Sequence, residues 1–337
     1  MMKFYKLLFL FSMIIGSLIA ISSYSWLSMW IGLEINLLSI IPLLSDSNNL
    51  YPSESALKYF ITQTMASTVL LFSIMTSMNL HDFIFFESSN YWFMIMNSAI
   101  LTKMGAAPFH AWFPEVMEGL NWPACLIMLT WQKLAPMAIL MYSMKMTLFM
   151  STIIIFSSIM GGILGLNQIS LRKILAYSSI NHISWMISSM LNSQAIWFSY
   201  FSIYSIITCN IVVLFYYTNI FFLKQLFNSF NQNKILKFFF VMNFFSLGGL
   251  PPFLGFFPKW LAINNLVENN FLTLSVILIV STLVTLFFYL RVTFSTLVIN
   301  SDELIINFSQ PKMFFIVMIN LVSLAGLIAC TLVFSMI

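Results

Sequence analysis

The sequence predicts an all-α membrane protein, a polytopic bundle of about eleven transmembrane helices of which two are broken. Three observations carry that prediction. Of the 337 residues 60% are hydrophobic and only 7% charged, with mean hydropathy +0.94, whereas a soluble domain carries about 25% charged residues. The apolar stretches come in blocks near twenty residues, the length that crosses a ~30 Å hydrocarbon core as a helix, and lack the period-two alternation of outer-membrane strands. Finally, one pattern is written twice, GAAPFHAWFP at 105–114 and GLPPFLGFFP at 249–258, each fitting Gly-x-x-Pro-Phe-x-x-x-Phe-Pro.

In chain order, spans are expected at 4–22, 25–44, 56–78, 90–108, 122–142, 147–167, 174–191, 195–220, 238–268, 271–295 and 313–335. The first, in MMKFYKLLFLFSMIIGSLIAI, has no small-residue cleavage site and reads as a retained helix rather than a removable address. Alternating sides along these spans puts Lys3, Lys6, Lys58, Arg172, Lys173, Lys224, Lys234, Lys237, Arg291 and Lys312 in one compartment and Lys145 in the other, a lopsidedness that fits the positive-inside rule. The amino terminus then lies on the positive side and the carboxyl terminus opposite.

The ninth span is too long for one straight crossing. Its centre holds Pro251, Pro252 and Pro258, which remove backbone donors, among Gly248, Gly249 and Gly255. A broken helix is expected there, and another where the fourth span runs into the first copy. An odd number of helix steps separates the copies, so the echo is inverted, and paired broken helices in inverted repeats point to a pathway at midplane depth. The echo is partial: Lys133 has no lysine at the corresponding later position, where Ile277 stands.

Four charges lie inside the apolar blocks: Glu34 (WIGLEINLLSI), Lys103 (NSAILTKMGAAP), Lys133 (LTWQKLAPMAIL) and Lys259 (GFFPKW). Lys133 is central in its span, roughly 16 Å from either surface at 1.5 Å per residue, too far for its stem to snorkel. A charge at that depth costs about 2.5–3.5 kcal/mol on insertion scales, so it must face a wet or paired interior. An acid and three lysines in such a bundle are proton-handling groups, because desolvation and a neighbouring charge set their protonation in opposite senses. His182 (SSINHISWM) and His110 stand open between a place in that relay and a hydrogen-bonded packing role.

Other chemistry finds no foothold. Cys125, Cys209 and Cys330 lack paired spacing for zinc, clusters or disulfides, and no nucleophile with a base or phosphate-binding glycine loop is evident. The net charge of +4, scattered at loop ends, argues against nucleic acid. A dinucleotide fingerprint and a soluble domain are also missing, which argues against direct dehydrogenase activity. The load of Phe (36) and Met (24) is a mark of A+T-rich coding and points to an organellar gene.

At these residues a family resemblance becomes specific. LTKMGAAPFHAWFPEVMEGL and SLRKILAYSSINHISWMI resemble the two signatures of the antiporter-like, proton-conducting subunits of respiratory complex I and the related multisubunit sodium/proton antiporters. WLSMWIGLEINLLSIIPLL and LKYFITQTMASTVLL are most similar to the animal mitochondrial branch, with an insect-like composition, and the likeness spans nearly the whole chain. The resemblance implies one membrane domain over 1–337, with inverted five-helix units over 25–142 and 147–295, a carboxyl-terminal helix over 313–335, and three fewer amino-terminal helices than the fourteen-helix family pattern. By motif position, Glu34 matches the glutamate beside the first broken helix, Lys103 the lysine of that helix, Lys133 the bridging residue of the next and Lys259 the lysine of the second broken helix. The bridging position is lysine here where other members carry histidine. It further implies proton translocation driven from a distance by quinone reduction, with NADH, FMN, iron–sulfur clusters and ubiquinone bound by other subunits and no cofactor or metal in this chain. Expected partners are other membrane-arm subunits, including neighbouring antiporter-like chains, and lipids such as cardiolipin. The expected location is the mitochondrial inner membrane, amino terminus on the matrix side and carboxyl terminus on the intermembrane-space side.

Two other readings compete. A stand-alone cation/proton antiporter would need a site for a second ion, and no intramembrane pair of aspartates supplies one. A structural subunit would use its buried charges only to hold the bundle. Loops 79–90, with His81, Asp82 and Glu87, and 296–312 are expected to be solvated and to meet partners.

Overall fold

The computed structural model describes residues 4–46, 49–80, 89–144, 146–226 and 234–298, together with 320 and 326. Thirteen helices are named among the described residues: α1 (Phe4–Ser22), α2 (Trp26–Leu44), α3 (Leu50–Leu80), α4 (Ser89–Met104), α5 (Trp112–Gly119), α6 (Trp122–Leu129), α7 (Trp131–Tyr142), α8 (Thr147–Gly165), α9 (Leu171–Met190), α10 (Gln194–Thr218), α11 (Lys234–Gly248), α12 (Phe256–Glu268) and α13 (Leu272–Val298). Among those residues the strand-like pairing consists of an isolated antiparallel bridge between Ser170 and Phe222. The chain falls into two compact units, residues 1–153 and 154–337.

Among the described residues seven stretches are long and apolar enough to cross a membrane: α1, α2, α3 as far as Met78, the α6–α7 run Trp122–Tyr142, α8, α10 and α13. The remaining expected spans differ for separate reasons. α4 is 16 residues long, and the 238–268 span is divided into α11 and α12, of 15 and 13 residues. α9 has 20 residues but carries Ser178, Ser179, Asn181, His182, Ser184, Ser188 and Ser189, all buried, so its polar side chains face protein. The 313–335 span lies outside the described residues apart from Asn320 and Gly326, as do Cys330, Lys145, Lys312 and the loop residues His81, Asp82 and Glu87.

In the first unit α1 and α2 pack closely. A Cβ on Gly32 would come within 2.6 Å of the Ala20 backbone nitrogen, and one on Gly16 within 2.9 Å of that of Asn36. Small residues give membrane helices this approach. Lys6 Nζ donates to the Ser45 carbonyl at 3.2 Å, tying the start of α1 to the end of α2. Trp30 Nε1 donates to the Ser67 carbonyl of α3 at 3.1 Å.

Both copies of the repeated pattern begin by closing a helix in the same way. At the end of α4, Gly105 N–H donates to the Thr102 and Leu101 carbonyls, and Ala106 N–H reaches back to Leu101. At the end of α11, Gly249 N–H donates to Ser246 and Phe245, and Leu250 N–H reaches back to Phe245. Each is a Schellman cap, which needs a residue at positive φ, and the glycines hold φ +75° and +77°. Non-helical chain then follows until α5 at Trp112 and α12 at Phe256. Gly255 is forced by contact as well, since its Cβ would fall 1.7 Å from the Ser246 carbonyl oxygen.

The expected single helix over 122–142 is also divided. Thr130 stands between α6 and α7 at φ −115°, ψ −72°, and Lys133 N–H bonds the Thr130 carbonyl at 3.2 Å in a tightened first turn. Pro136, within α7, removes the donor that the Gln132 carbonyl would otherwise receive.

Candidate proton-handling site

Helix ends, rather than helix middles, position the three membrane lysines. Lys103 occupies the last turn of α4, Lys133 the first turn of α7 and Lys259 the first turn of α12. Backbone carbonyls and amides left over at such ends are the natural neighbours of an ion that must sit away from water.

In the first unit Lys103 Nζ lies 3.8 Å from Glu34 Oε1, with the lysine side chain 4% and the glutamate 23% exposed. That is ion-pair distance but longer than a hydrogen bond. At about 4 Å and an effective dielectric near 20, one unit charge acts on the other with about 4 kcal/mol. Moving a proton against 100 mV takes about 2.3 kcal/mol, so joining or separating this pair involves energy on the same scale. Lys133 is 1% exposed, with its ammonium 5.5 Å from the centre of the Phe113 ring, a cation–π contact that partly replaces the water lost on burial.

In the second unit Lys259 is also buried, but it uses backbone. Its Nζ donates to the Gly248 carbonyl at 2.8 Å and the Leu247 carbonyl at 3.5 Å, the unsatisfied carbonyls at the negative end of α11. Among the described residues no carboxylate forms an ion pair with Lys259. His182, buried on α9, shares a 3.0 Å hydrogen bond between Nδ1 and the Tyr200 hydroxyl of α10 and packs against the Tyr204 ring at 5.0 Å. His110 lies in the chain between α4 and α5, its Nδ1 3.3 Å from the Pro108 carbonyl of the same stretch.

Of the residues singled out by sequence, the structure brings Glu34 and Lys103 to 3.8 Å of each other, sets Lys133 over Phe113, Lys259 on the Gly248 carbonyl, His182 on Tyr200 and His110 beside the Pro108 carbonyl. Sequence reading missed their neutral neighbours. Asn36 and Gln132 exchange two hydrogen bonds at 3.0 Å, Tyr59 hydroxyl donates to Gln132 Oε1 at 3.4 Å, and Gln63 Nε2 donates to the Lys103 carbonyl at 3.4 Å. A signal was present: Ser55, Tyr59, Gln63 and Ser67 recur every fourth residue on α3 and all are buried, one polar stripe on one helix face. Among the described residues no group of three or more His, Cys, Asp or Glu could hold a metal ion.

Residues 23–285 match the family model described as NADH:quinone oxidoreductase/Mrp antiporter, transmembrane. The NADH-ubiquinone oxidoreductase chain 2 of Anopheles gambiae is 44% identical and that of Aedes aegypti 46%, each alignment covering 99% of both chains. The chain 2 of Ovis aries is 36% identical over 86% of this chain and 85% of its own length. Among solved structures, a chain of respiratory complex I from Thermus thermophilus superposes with TM-score 0.84 at 22% identity, covering 96% of this chain and 79% of that one. A chain of the membrane-bound sulfane sulfur reductase, an archaeal respiratory membrane complex, gives TM-score 0.81 at 12% identity, covering 95% and 72%. At these identities the two superpositions speak for the fold.

Proposed function

The chain belongs to the NADH-ubiquinone oxidoreductase chain 2 family, within the NADH:quinone oxidoreductase/Mrp antiporter family, and on that premise we propose that Glu34 and the buried Lys103, Lys133 and Lys259 are the proton-translocating groups of a membrane subunit. It is a subunit of an NADH:ubiquinone oxidoreductase and a multi-span membrane protein. The observation that carries the proposal is the Glu34–Lys103 pair, 3.8 Å apart in a membrane bundle with the lysine buried and the glutamate partly so.

The physical steps follow from the surroundings. Protonating Glu34 removes the anion that holds Lys103 in its charged form, so the lysine is free to pass its own proton on. Lys133, buried against Phe113, responds to charge arriving nearby. Lys259 exchanges its proton where the α11 carbonyls hold the ammonium in place. His182 with its Tyr200 partner and His110 complete the candidate set. Work for these steps comes from quinone reduction elsewhere in the complex, and NADH, FMN, iron–sulfur clusters and ubiquinone are assigned to other subunits. The full architecture in this reading is about eleven membrane helices with two broken ones, α4–α5 and α11–α12, in antiporter-like repeats. The location is the mitochondrial inner membrane, amino terminus on the matrix side with the basic loops and carboxyl terminus facing the intermembrane space. Neighbouring membrane-arm subunits and lipids such as cardiolipin are the partners. The stand-alone antiporter reading is disfavoured by near-full-length similarity to oxidoreductase chains.

Lys133→Met tests the assignment. The variant complex is expected to reach its native mass and to lose proton translocation in proteoliposomes by about tenfold or more, one buried group of a relay being worth at least the 1.4 kcal/mol of a decade in rate. A particle that fails to assemble would instead make Lys133 a structural residue, and one that pumps normally would remove it from the relay.

A further inference from the structure

In the first unit two relay residues each stand beside a member of a buried amide pair that neither charge requires. Asn36 follows Glu34 by two positions on α2, and Gln132 immediately precedes Lys133 on α7. Asn36 Nδ2 donates to Gln132 Oε1 and Gln132 Nε2 donates to Asn36 Oδ1, both at 3.0 Å. The two side chains are buried, and the Tyr59 hydroxyl of α3 adds a 3.4 Å bond to the same Gln132 oxygen.

Residues one and two apart on a helix point to different faces. Asn36 therefore reaches α7 while Glu34 is directed to Lys103 on α4, and any rotation of α2 that swings the carboxylate also breaks the amide pair. The same coupling holds on α7, where Gln132 takes the amide bonds and Lys133 lies over Phe113. Packed leucines at these positions would fill the space but set no rotation, because dispersion contacts are non-directional whereas two antiparallel amide bonds fix both distance and angle. A charged group would compete with Glu34 for Lys103. A neutral amide on each helix is the chemistry that fixes geometry without adding charge.

We propose that Asn36 and Gln132 form a positioning clamp, latched by the Tyr59 hydroxyl, that holds α2 and α7 at the rotation in which a change of charge at Glu34–Lys103 is felt at Lys133. The inference rests on the relay reading above and extends it from the charged groups to the neutral pair that aligns them.

The test is made in the assembled complex, reading native mass, NADH:ubiquinone reductase activity and proton translocation in proteoliposomes for Asn36→Leu, Gln132→Leu and the swap Asn36→Gln with Gln132→Asn. The swap keeps the combined side-chain length and both amide bonds. Assembled leucine variants are expected to lose proton translocation several-fold, and the swap to recover most of it. Should the leucine variants fail to assemble, Asn36→Gln alone and Gln132→Asn alone take their place, impaired singly and recovered together. Normal translocation in the single variants, or a swap as deficient as the singles, overturns the clamp. Lys103→Met run alongside separates the two readings. If it abolishes translocation while the clamp variants are silent, the clamp alone falls; if it pumps normally, the relay falls with it.

Discussion

At residue 105 and again at residue 249 a helix stops on a glycine at positive φ, and the same three backbone bonds close it. What differs is the group that answers the leftover carbonyls. After α4 the Thr102 carbonyl receives Trp112 Nε1 at 3.0 Å and the Lys103 carbonyl receives Gln63 Nε2 at 3.4 Å, both neutral donors. After α11 the equivalent carbonyl, that of Leu247, and its neighbour Gly248 receive the Lys259 ammonium. A neutral cap in the first unit leaves the Lys103 ammonium to pair with Glu34, whereas in the second the lysine is itself the cap. One backbone device thus carries a carboxylate-paired lysine in one place and a dipole-held lysine in the other. In the proposed relay the first is switched by protonating an acid, and the second by whatever draws the lysine away from a helix end.

The largest effects should come from removing the lysines, and the two should fail differently. Lys103→Met leaves Glu34 without its cation. Breaking a buried pair costs about 3–5 kcal/mol, and the 23% exposure of the glutamate side chain reduces that toward the lower figure. Adding Glu34→Gln should restore the thermal stability of the extracted complex but not proton translocation. Lys259→Met leaves two carbonyls short of a donor, about 1–3 kcal/mol, and Glu34→Gln should not restore it. If Glu34→Gln rescues both variants, or neither, the distinction between a paired and a dipole-held lysine is lost.

Next come the glycines. Alanine at either position meets a similar backbone penalty, about 1–2 kcal/mol for an L residue in left-handed conformation. At Gly249 the new Cβ also falls 2.8 Å from Lys259 Cδ and 2.9 Å from its Nζ, while at Gly105 the nearest atom is Phe113 Cβ at 3.2 Å. Both variants should melt earlier, but Gly249→Ala should lose translocation more steeply because it displaces the lysine itself. Equal loss of translocation at equal destabilisation would show that Lys259 tolerates the shift.

How much of this could be read from sequence follows from what each feature needs. Charges in apolar blocks stand out against their neighbours, so Glu34, Lys103, Lys133 and Lys259 were legible, as were the repeated glycines and prolines that stop helices. The neutral partners were not. An asparagine, glutamine or tyrosine in a membrane helix reads as a tolerable polar residue until its opposite number is known, and Asn36 and Gln132 are far apart in sequence. Tyr200 and Tyr204 look like packing aromatics, yet they surround His182. The discontinuity at Thr130 carries no glycine or proline of its own, and Pro136, on the far side of Lys133, lies inside α7 and removes a donor from the Gln132 carbonyl instead.

The smallest effect tests the neutral cap directly. Gln63→Leu removes one amide donor from the Lys103 carbonyl, about 1 kcal/mol, the low end of the cost of an acceptor left short because the bond is a long 3.4 Å, and leaves the Glu34–Lys103 pair untouched. A slightly earlier melt with near-normal translocation is therefore expected. Gln63→Lys sharpens the result, because it sets an ammonium on the carbonyl that corresponds to the one Lys259 caps after α11. If the caps are interchangeable, the variant should melt no earlier than Gln63→Leu. It should nevertheless pump less, since a second cation beside Lys103 competes for Glu34 and weakens the switch that the neutral amide leaves open. Normal translocation in Gln63→Lys would mean that Glu34 and Lys103 respond to each other alone, and that a neutral cap is not what sets the first unit apart.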